Sequence, residues 1–349
     1  MTHLLRFLLV CTSAVLALGC TRQAEEPSKP NAPSAAPKVE ANRDMEDVLV
    51  VLLDKGNPLL IDLTTLLVAR PLALQGGAVA MSLDRDADRL WFLTRGTGEL
   101  VSFDTRDDEP DEHLAIGRGG DSLAVDGRKA FLTFTNLGIK HVELIDLDDL
   151  QERQQWLAGP ALNVVLAPRS KALVATQPRD HQILVMDQQT GQVEKLLDTR
   201  ERGLKPTTLA VSNDGKQVAV ALAYGNTVLI LDENLNVQNQ IPTGEVPDQL
   251  SFSEDDEWLA VVLKRSHAVQ ILDTETDAVV KEWALPRDCH TPVFGPRDKK
   301  LILLCGQTLQ VFDTTTGEHT GTLSLPASPK AAYALRRPVV QAISATPAQ

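Results

Sequence analysis

Two cysteines and two histidines in the C-terminal third are the side chains of this sequence best suited to chemistry. Cys289 and His290 precede an apolar run, Cys305 ends the next run, and His267 lies in the loop upstream. The cysteines are equally spaced about Arg297, the middle of the intervening turn. A hairpin would therefore bring them opposite each other, at the Cα separation of about 5 Å that suits a disulfide. The alternatives are two inert thiols or a Cys2His2 metal site. Because the spacing matches no standard metal motif, we expect a disulfide or inert thiols, and no metal or other cofactor.

The first twenty residues indicate the compartment in which those cysteines reside. Arg6 precedes an apolar run over residues 7–18, which is too short for a permanent membrane span and is typical of a removable signal peptide. Residues 16–20, LALGC, resemble a bacterial lipobox, which implies a signal peptide over 1–19 and a diacylglycerol group on Cys20. An ordinary signal peptide with an incidental cysteine is the alternative. We expect a lipoprotein on the periplasmic side of the outer membrane of a Gram-negative bacterium, where oxidising conditions favour disulfides.

The amino-acid composition distinguishes an N-terminal linker from a folded domain, and the net charge disfavours one class of binding partner. Residues 20–45 are rich in Pro, Ala, Ser and charged side chains without an apolar period, which predicts a flexible linker after the lipid. The folded domain is expected over 46–336 and a tail over 337–349. The net charge of −13 disfavours nucleic acid as a partner, because such binding depends on a basic surface.

A repeat organises the folded domain. Seven apolar runs end in an aspartate, and these aspartates are 40 to 45 residues apart: Asp62, Asp104, Asp146, Asp187, Asp232, Asp273 and Asp313. Repeats of this length are typical of β-propellers. Each unit contains apolar runs and turn residues for four short strands. Runs such as VAVAL at 218–222 are apolar on both faces, as expected for stacked blades. We predict an all-β fold of seven four-stranded blades.

The two ends of the repeat array complement each other. The N-terminal unit lacks its first strand, whereas residues 331–335 follow a Pro-Lys entry like those of first strands and lead into no further unit. We therefore expect this C-terminal strand to complete the N-terminal blade and close the ring, which removes exposed strand edges. The closed ring is expected to be a monomer.

The unit over residues 241–280 is similar to the repeats of the YVTN family of bacterial β-propellers. The similarity lies in Gly244 and Pro247 before the first strand, in the acidic turn after it, and in Asp273-Thr274 after the third strand. The second strand reads LAVVL and lacks the tyrosine of the family's name, and the WD signature of WD40 proteins is absent. The resemblance implies a WD40-like or lactonase-like seven-bladed propeller and leaves the activity open.

Ligands of related propellers usually bind around the mouth of the central channel. The loops expected there are those between blades and those between second and third strands. They carry both charge signs, so they form no funnel for phosphate or metal. The candidate binding residues are Arg118, Asp121, Asn163, His181, Lys205, Tyr224, Asp248, His267 and His290, with Arg95, Lys264, Arg287 and Lys330 beside them.

Catalytic signatures are missing from the sequence. It contains no G-x-S-x-G elbow, H-E-x-x-H helix, Walker loop or dinucleotide-binding glycine pattern. The leading hypothesis is therefore a non-enzymatic, membrane-anchored propeller that acts as a scaffold for a protein or peptide of the cell envelope. The alternative is a propeller enzyme or cofactor protein, either a lactonase-like hydrolase or a protein with a metal site formed by His267, Cys289, His290 and Cys305.

Overall fold

In a computed structural model of the chain, the described residues are 45–338 except 76, 85–87, 96, 107–109, 118–119, 162 and 168. They form seven four-stranded antiparallel sheets and one turn of 3-10 helix, Pro296–Asp298. The expected signal peptide, Cys20 and nearly all of the linker lie outside the described residues. Within the described part of the chain, no helix has the length and apolar character needed to cross a membrane.

Each sheet is one blade, and the blades are numbered 1 to 7 along the chain. Blade 1 contains β1 (Met45–Leu53), β2 (Leu59–Asp62), β3 (Leu67–Pro71) and the last strand, β28 (Pro329–Pro338). Blade 2 contains β4 (Ala78–Asp84), β5 (Arg89–Thr94), β6 (Glu99–Asp104) and β7 (Pro110–Ala115). Blade 3 contains β8 (Ser122–Asp126), β9 (Lys129–Asn136), β10 (Ile139–Asp146) and β11 (Arg153–Gly159). Blade 4 contains β12 (Val164–Ala167), β13 (Ala172–Gln177), β14 (Gln182–Asp187) and β15 (Val193–Asp198). Blade 5 contains β16 (Pro206–Val211), β17 (Val218–Leu222), β18 (Thr227–Leu231) and β19 (Val237–Pro242). Blade 6 contains β20 (Pro247–Phe252), β21 (Trp258–Leu263), β22 (Ala268–Asp273) and β23 (Val279–Ala284). Blade 7 contains β24 (Cys289–Phe294), β25 (Lys300–Cys305), β26 (Thr308–Asp313) and β27 (His319–Ser324).

The last strand closes the ring, which confirms the prediction for the C-terminus. β28 pairs antiparallel with β1 from Met45↔Pro338 to Leu53↔Pro329 and is the inner strand of blade 1. It is longer than the expected 331–335 because the ladder continues through the Glu46↔Arg337 pair, whose side chains form an ion pair of 2.8 Å. The strand therefore includes the first two residues assigned to the tail, and the rest of the tail, 339–349, lies outside the described residues.

The repeated aspartate closes the turn between the third and fourth strands of each blade. Asp273 Oδ1 accepts hydrogen bonds from the backbone N–H groups of Glu275 at 3.1 Å and Thr276 at 2.7 Å, and from the Thr276 hydroxyl at 2.8 Å. Its counterparts likewise accept backbone N–H donors: Asp62, Asp104, Asp146, Asp187, Asp232 and Asp313. Backbone donors favour the ionised carboxylate, and they lower the pKa of Asp146, Asp187, Asp273 and Asp313. The sequence period therefore marks a turn that requires a short acceptor side chain.

The hydrophobic core lies between adjacent blades. Strands β17 and β18 are buried along their whole length. Val220 packs in one cluster with Val174 of blade 4, whereas its neighbour Ala221 packs in another with Val261 of blade 6. A strand that is covered on both faces has no polar side, which explains the continuous apolar runs in the sequence.

Carboxylates in the turns between first and second strands fasten neighbouring blades. Asp256 of blade 6 accepts hydrogen bonds from the backbone N–H groups of Asn213 at 2.7 Å and Asp214 at 2.8 Å in blade 5. Asp298 of blade 7 accepts the N–H of Glu254 at 2.8 Å, and its burial raises its pKa. These acidic turns therefore stabilise the ring. We call the face that carries them the turn face, and the opposite face, at the amino ends of the inner strands, the mouth face.

Candidate functional site

Two of the predicted binding residues, Asp121 and Asn163, hold polar contacts on the mouth face of blades 3 and 4. Asp121 Oδ2 accepts hydrogen bonds from the Thr135 hydroxyl at 2.7 Å and from Lys140 Nζ at 3.3 Å. Asn163 Nδ2 donates to the Thr207 carbonyl of blade 5 at 3.3 Å, so this amide links two blades. A third predicted residue, Arg118, lies outside the described residues.

His181, Lys205 and Tyr224 come together where blades 4 and 5 meet. His181 Nδ1 accepts the backbone N–H of Lys205 at 3.1 Å. The Lys205 ammonium lies 4.6 Å from the centroid of the Tyr224 ring and 3.3 Å from its hydroxyl. Because Tyr224 is 64% exposed, the group presents an aromatic ring and a cation to solvent. Tyrosine in this setting is typical of protein-binding surfaces.

Asp248, Lys264 and His290 form a second group between blades 6 and 7. Lys264 Nζ lies 3.8 Å from Asp248 Oδ2. Burial lowers the pKa of His290, the Asp248 carboxylate opposes that effect, and Lys264 adds to it. His290 Nδ1 is 3.0 Å from the Thr291 hydroxyl. A half-buried imidazole that is neutral at pH 7 and lies near a carboxylate is chemically able to accept a proton.

Cys289 and Cys305 lie opposite each other on β24 and β25, and their sulfur atoms are joined at 2.00 Å. Because the sulfurs are bonded to each other, neither is available as a thiolate ligand. Among the described residues, no group of three or more His, Cys, Asp or Glu side chains is arranged to hold a metal ion, so the Cys2His2 alternative is not assembled there. His267, the other histidine of that alternative, lies in a turn, where its φ is 48°. Its backbone carbonyl accepts a hydrogen bond from the N–H of Leu285 at 2.7 Å.

A cavity of about 880 Å³ occupies the central channel. Its lining comes mainly from the inner strands of blades 2 to 6, with Tyr333 from blade 1, and it includes four charged residues at or next to the turns of the turn face: Asp84, Asp126, Arg169 and Asp214. None of the nine candidate residues of the mouth face is among the described residues that line it. Sequence reasoning missed this cavity because the inner-strand residues that form its wall belong to no motif.

The hairpin between β9 and β10 is a second feature that sequence reasoning missed. Each strand has eight residues, which is longer than the corresponding strands of blades 2 and 4 to 7. The strands are joined through Leu137 and Gly138, both with positive φ (50° and 79°), and Leu137 is 96% exposed. Ile139 and Leu157 nearby are also exposed, so the mouth face of blade 3 carries an apolar surface. The signal was present in the sequence, since this two-residue turn carries Leu where Asn or Gly is preferred.

Comparisons with known proteins support the fold. A protein of unknown function from Desulfotomaculum acetoxidans matches with a TM-score of 0.62 and 16% identity, over 79% of this chain and 95% of its own. Apo AztD from Citrobacter koseri matches with 0.55 and 12% identity, over 84% and 99%. A candidate 6-phosphogluconolactonase from Bacteroides fragilis matches with 0.62 and 15% identity, over 83% and 98%. No protein-family model matches the chain, and a search of curated proteins finds no relative. At these identities, the structural likeness shows the fold and no activity.

Proposed function

We propose that the protein is a lipid-anchored β-propeller of the bacterial envelope, of the YVTN type, that binds a protein or peptide partner through its mouth face. The observation that carries the proposal is the 96% exposure of Leu137 at the tip of the long hairpin of blade 3. A leucine held in solvent, at a turn position where it is conformationally unfavourable, stabilises nothing within the described fold. Burial against a partner gives it a role.

The surroundings of Leu137 extend this surface. On blade 3, the Phe134 and His141 rings stack at 5.0 Å beneath the tip, with Ile139 exposed beside them. On blade 5, Tyr224 and Lys205 offer an aromatic ring and a cation on the same face of the propeller. Apolar anchors with polar neighbours are the composition of a protein-binding surface.

The partner-binding proposal is tested by capture from envelope membranes. The mature, lipidated protein serves as bait, and bound proteins are quantified by mass spectrometry. Leu137→Asn removes the anchor and suits the positive φ, so folding is retained while the specific partner falls about tenfold, as loss of one central anchor predicts. Leu196→Asn, which changes an exposed leucine on the outer strand of blade 4, is the matched control and should retain the partner. Equal recovery with both variants, or no specific partner, contradicts the proposal.

Anchoring through Cys20 rests on the lipobox resemblance and is tested separately. The N-terminal peptide of the wild type should carry the mass of the acyl chains, and the Cys20→Ser variant should lack it and retain residues 1–19, because cleavage requires the acylated cysteine. A chain in which residues 1–20 are replaced by an ordinary cleavable signal peptide should move to the periplasmic fraction; if it stays in the membrane fraction, another element holds it there.

A hydrolytic function is the second candidate, and His290 is the observation that favours it. Burial keeps this imidazole neutral at pH 7, and the Asp248 carboxylate lies near enough to act on it. The Bacteroides fragilis neighbour named as a candidate 6-phosphogluconolactonase suggests the substrates to try. A panel of sugar lactones should be hydrolysed by the wild type and at least about a hundredfold more slowly by His290→Ala if His290 is a general base. Equal rates for the two proteins remove this candidate.

A further inference from the structure

Two loops of the mouth face are held against each other where blade 4 leads into blade 5. The loop between β15 and β16 carries Leu204, whose carbonyl accepts a hydrogen bond from the backbone N–H of Tyr224 at 3.1 Å, in the loop between β17 and β18. The same loops touch through glycines, since a Cβ on Gly225 would lie only 2.6 Å from the Cα of Gly203. Because backbone contacts fix the two loops, the side chains that they carry form a preorganised surface.

These side chains combine exposed apolar surface with positive charge. Leu204 is 40% exposed and Tyr224 is 64% exposed. The Lys205 ammonium lies against the Tyr224 ring, and Arg202 is exposed in the same loop. Tyrosine and arginine are enriched among the residues that dominate the energy of protein–protein interfaces. We call Arg202, Leu204, Lys205 and Tyr224 the basic patch.

Free cations outnumber free carboxylates around the basic patch, although the chain has a net charge of −13. Among the residues that the structure describes there, Arg179, Arg202 and Lys205 have no carboxylate within ion-pairing distance. Asp180 and Glu201, in the same two loops of blade 4 and the blade junction, are the carboxylates without a cation partner. The local charge is therefore positive, which favours an acidic partner.

The turn face carries the opposite charge. Residues 254–257, in the first turn of blade 6, are four consecutive carboxylates, and the corresponding face of blade 3 carries Asp148, Asp149 and Glu152 in one turn. The acidity of the chain is thus concentrated on the face opposite the basic patch. An acidic partner is repelled by the turn face and attracted to the mouth face, so charge selects the face that it approaches.

We propose that the basic patch binds an acidic segment of the protein or peptide partner. Carboxylates of that segment pair with Arg202 and Lys205, and one of its apolar or aromatic side chains packs on Leu204 and Tyr224. This inference rests on the proposed partner-binding function and adds the chemistry of the partner to it.

The test is a titration of the purified mature protein with a fluorescein-labelled random copolymer of glutamate and tyrosine, followed by fluorescence anisotropy. This probe supplies carboxylates and aromatic rings. The wild type should bind it saturably, and added salt should weaken the binding, because salt screens exposed charges. Arg202→Glu/Lys205→Glu should bind about tenfold more weakly, since attraction becomes repulsion. Tyr224→Ala should also lose about tenfold, because it removes the aromatic anchor.

The matched control is Lys171→Glu/Lys299→Glu, which makes the same two charge reversals at exposed lysines of the turn face. It should bind the copolymer as the wild type does, and unchanged thermal unfolding verifies that each variant is folded. Absence of saturable binding, or equal losses in the two charge-reversed proteins, overturns the proposal. A protein that captures an envelope partner through Leu137 but does not bind the copolymer keeps the proposed function and loses this inference.

Discussion

Breaking the Cys289–Cys305 bond should destabilise the propeller by an amount that follows from the length of the loop it closes. The two cysteines are 16 positions apart. Cross-linking a loop of this size removes denatured-state entropy equivalent to about 3 kcal/mol at 25 °C. With an unfolding entropy of about 2.1 cal/mol/K per residue, a ring of roughly 300 residues should lose about 5 °C in Tm.

The assay is thermal and urea unfolding followed by tryptophan fluorescence, with and without a reductant. The reduced wild type is the cleanest comparison, because reduction leaves every side chain in place. Cys289→Ala/Cys305→Ala should unfold close to the reduced protein and should not respond to reductant. The reasoning would be refuted by coincident transitions for oxidised and reduced wild type, or by two titratable thiols in the unreduced protein.

Three further predictions concern the ring and its turns. Ending the chain after Ser328 removes β28 and exposes the side chains of β1 that it covers. Each fully buried Leu or Val side chain contributes about 1.5–3 kcal/mol to stability, and a whole domain has a free energy of unfolding of only about 5–15 kcal/mol. Calorimetry of the truncated chain should therefore show no native cooperative transition. The lowered pKa values of Asp146, Asp187, Asp273 and Asp313 add stability that is complete above the unfolded value of 3.8 and is lost as pH falls through the folded values. A Tm profile should therefore fall below about pH 4, and less steeply in Asp273→Asn; a profile flat to pH 2 would contradict this. Leu137→Asn should raise the free energy of unfolding by about 0.5–1 kcal/mol, because Asn tolerates the left-handed conformation better than Leu; a lower urea midpoint would contradict the turn assignment.

The blade count and the closure were predictable because each depends on local chemistry that repeats. The turn at Asp273 needs a short acceptor for the N–H groups of Glu275 and Thr276, so the same residue recurs in every blade. The closing strand was predictable because Pro329-Lys330 has the entry pattern of an inner strand. Its full length was not, since the ladder continues through Glu46 and Arg337 in parts of the chain that carry no repeat pattern.

The candidate site was only partly predictable. The positions of His181, Lys205 and Tyr224 within the repeat predict that they lie on one face, and the structure brings them into contact. The contacts themselves depend on how neighbouring blades are offset. The channel cavity depends on how whole blades pack around the ring, since its lining comes from the inner strands of several blades. The sequence of an inner strand does not show whether its alanine, valine and leucine side chains face a cavity or a neighbouring blade.

The pairing of the first strand with the last also determines the order in which the molecule can be completed. Glu46 and Arg337 are 291 positions apart, so this ladder has the longest loop to close and is expected to form slowly and late. Until β28 is in place, β1 presents an unpaired edge and an incomplete blade. During synthesis, a chain in that state is open to strand pairing with other chains. The interval before closure is therefore when a chaperone would be most useful to this protein.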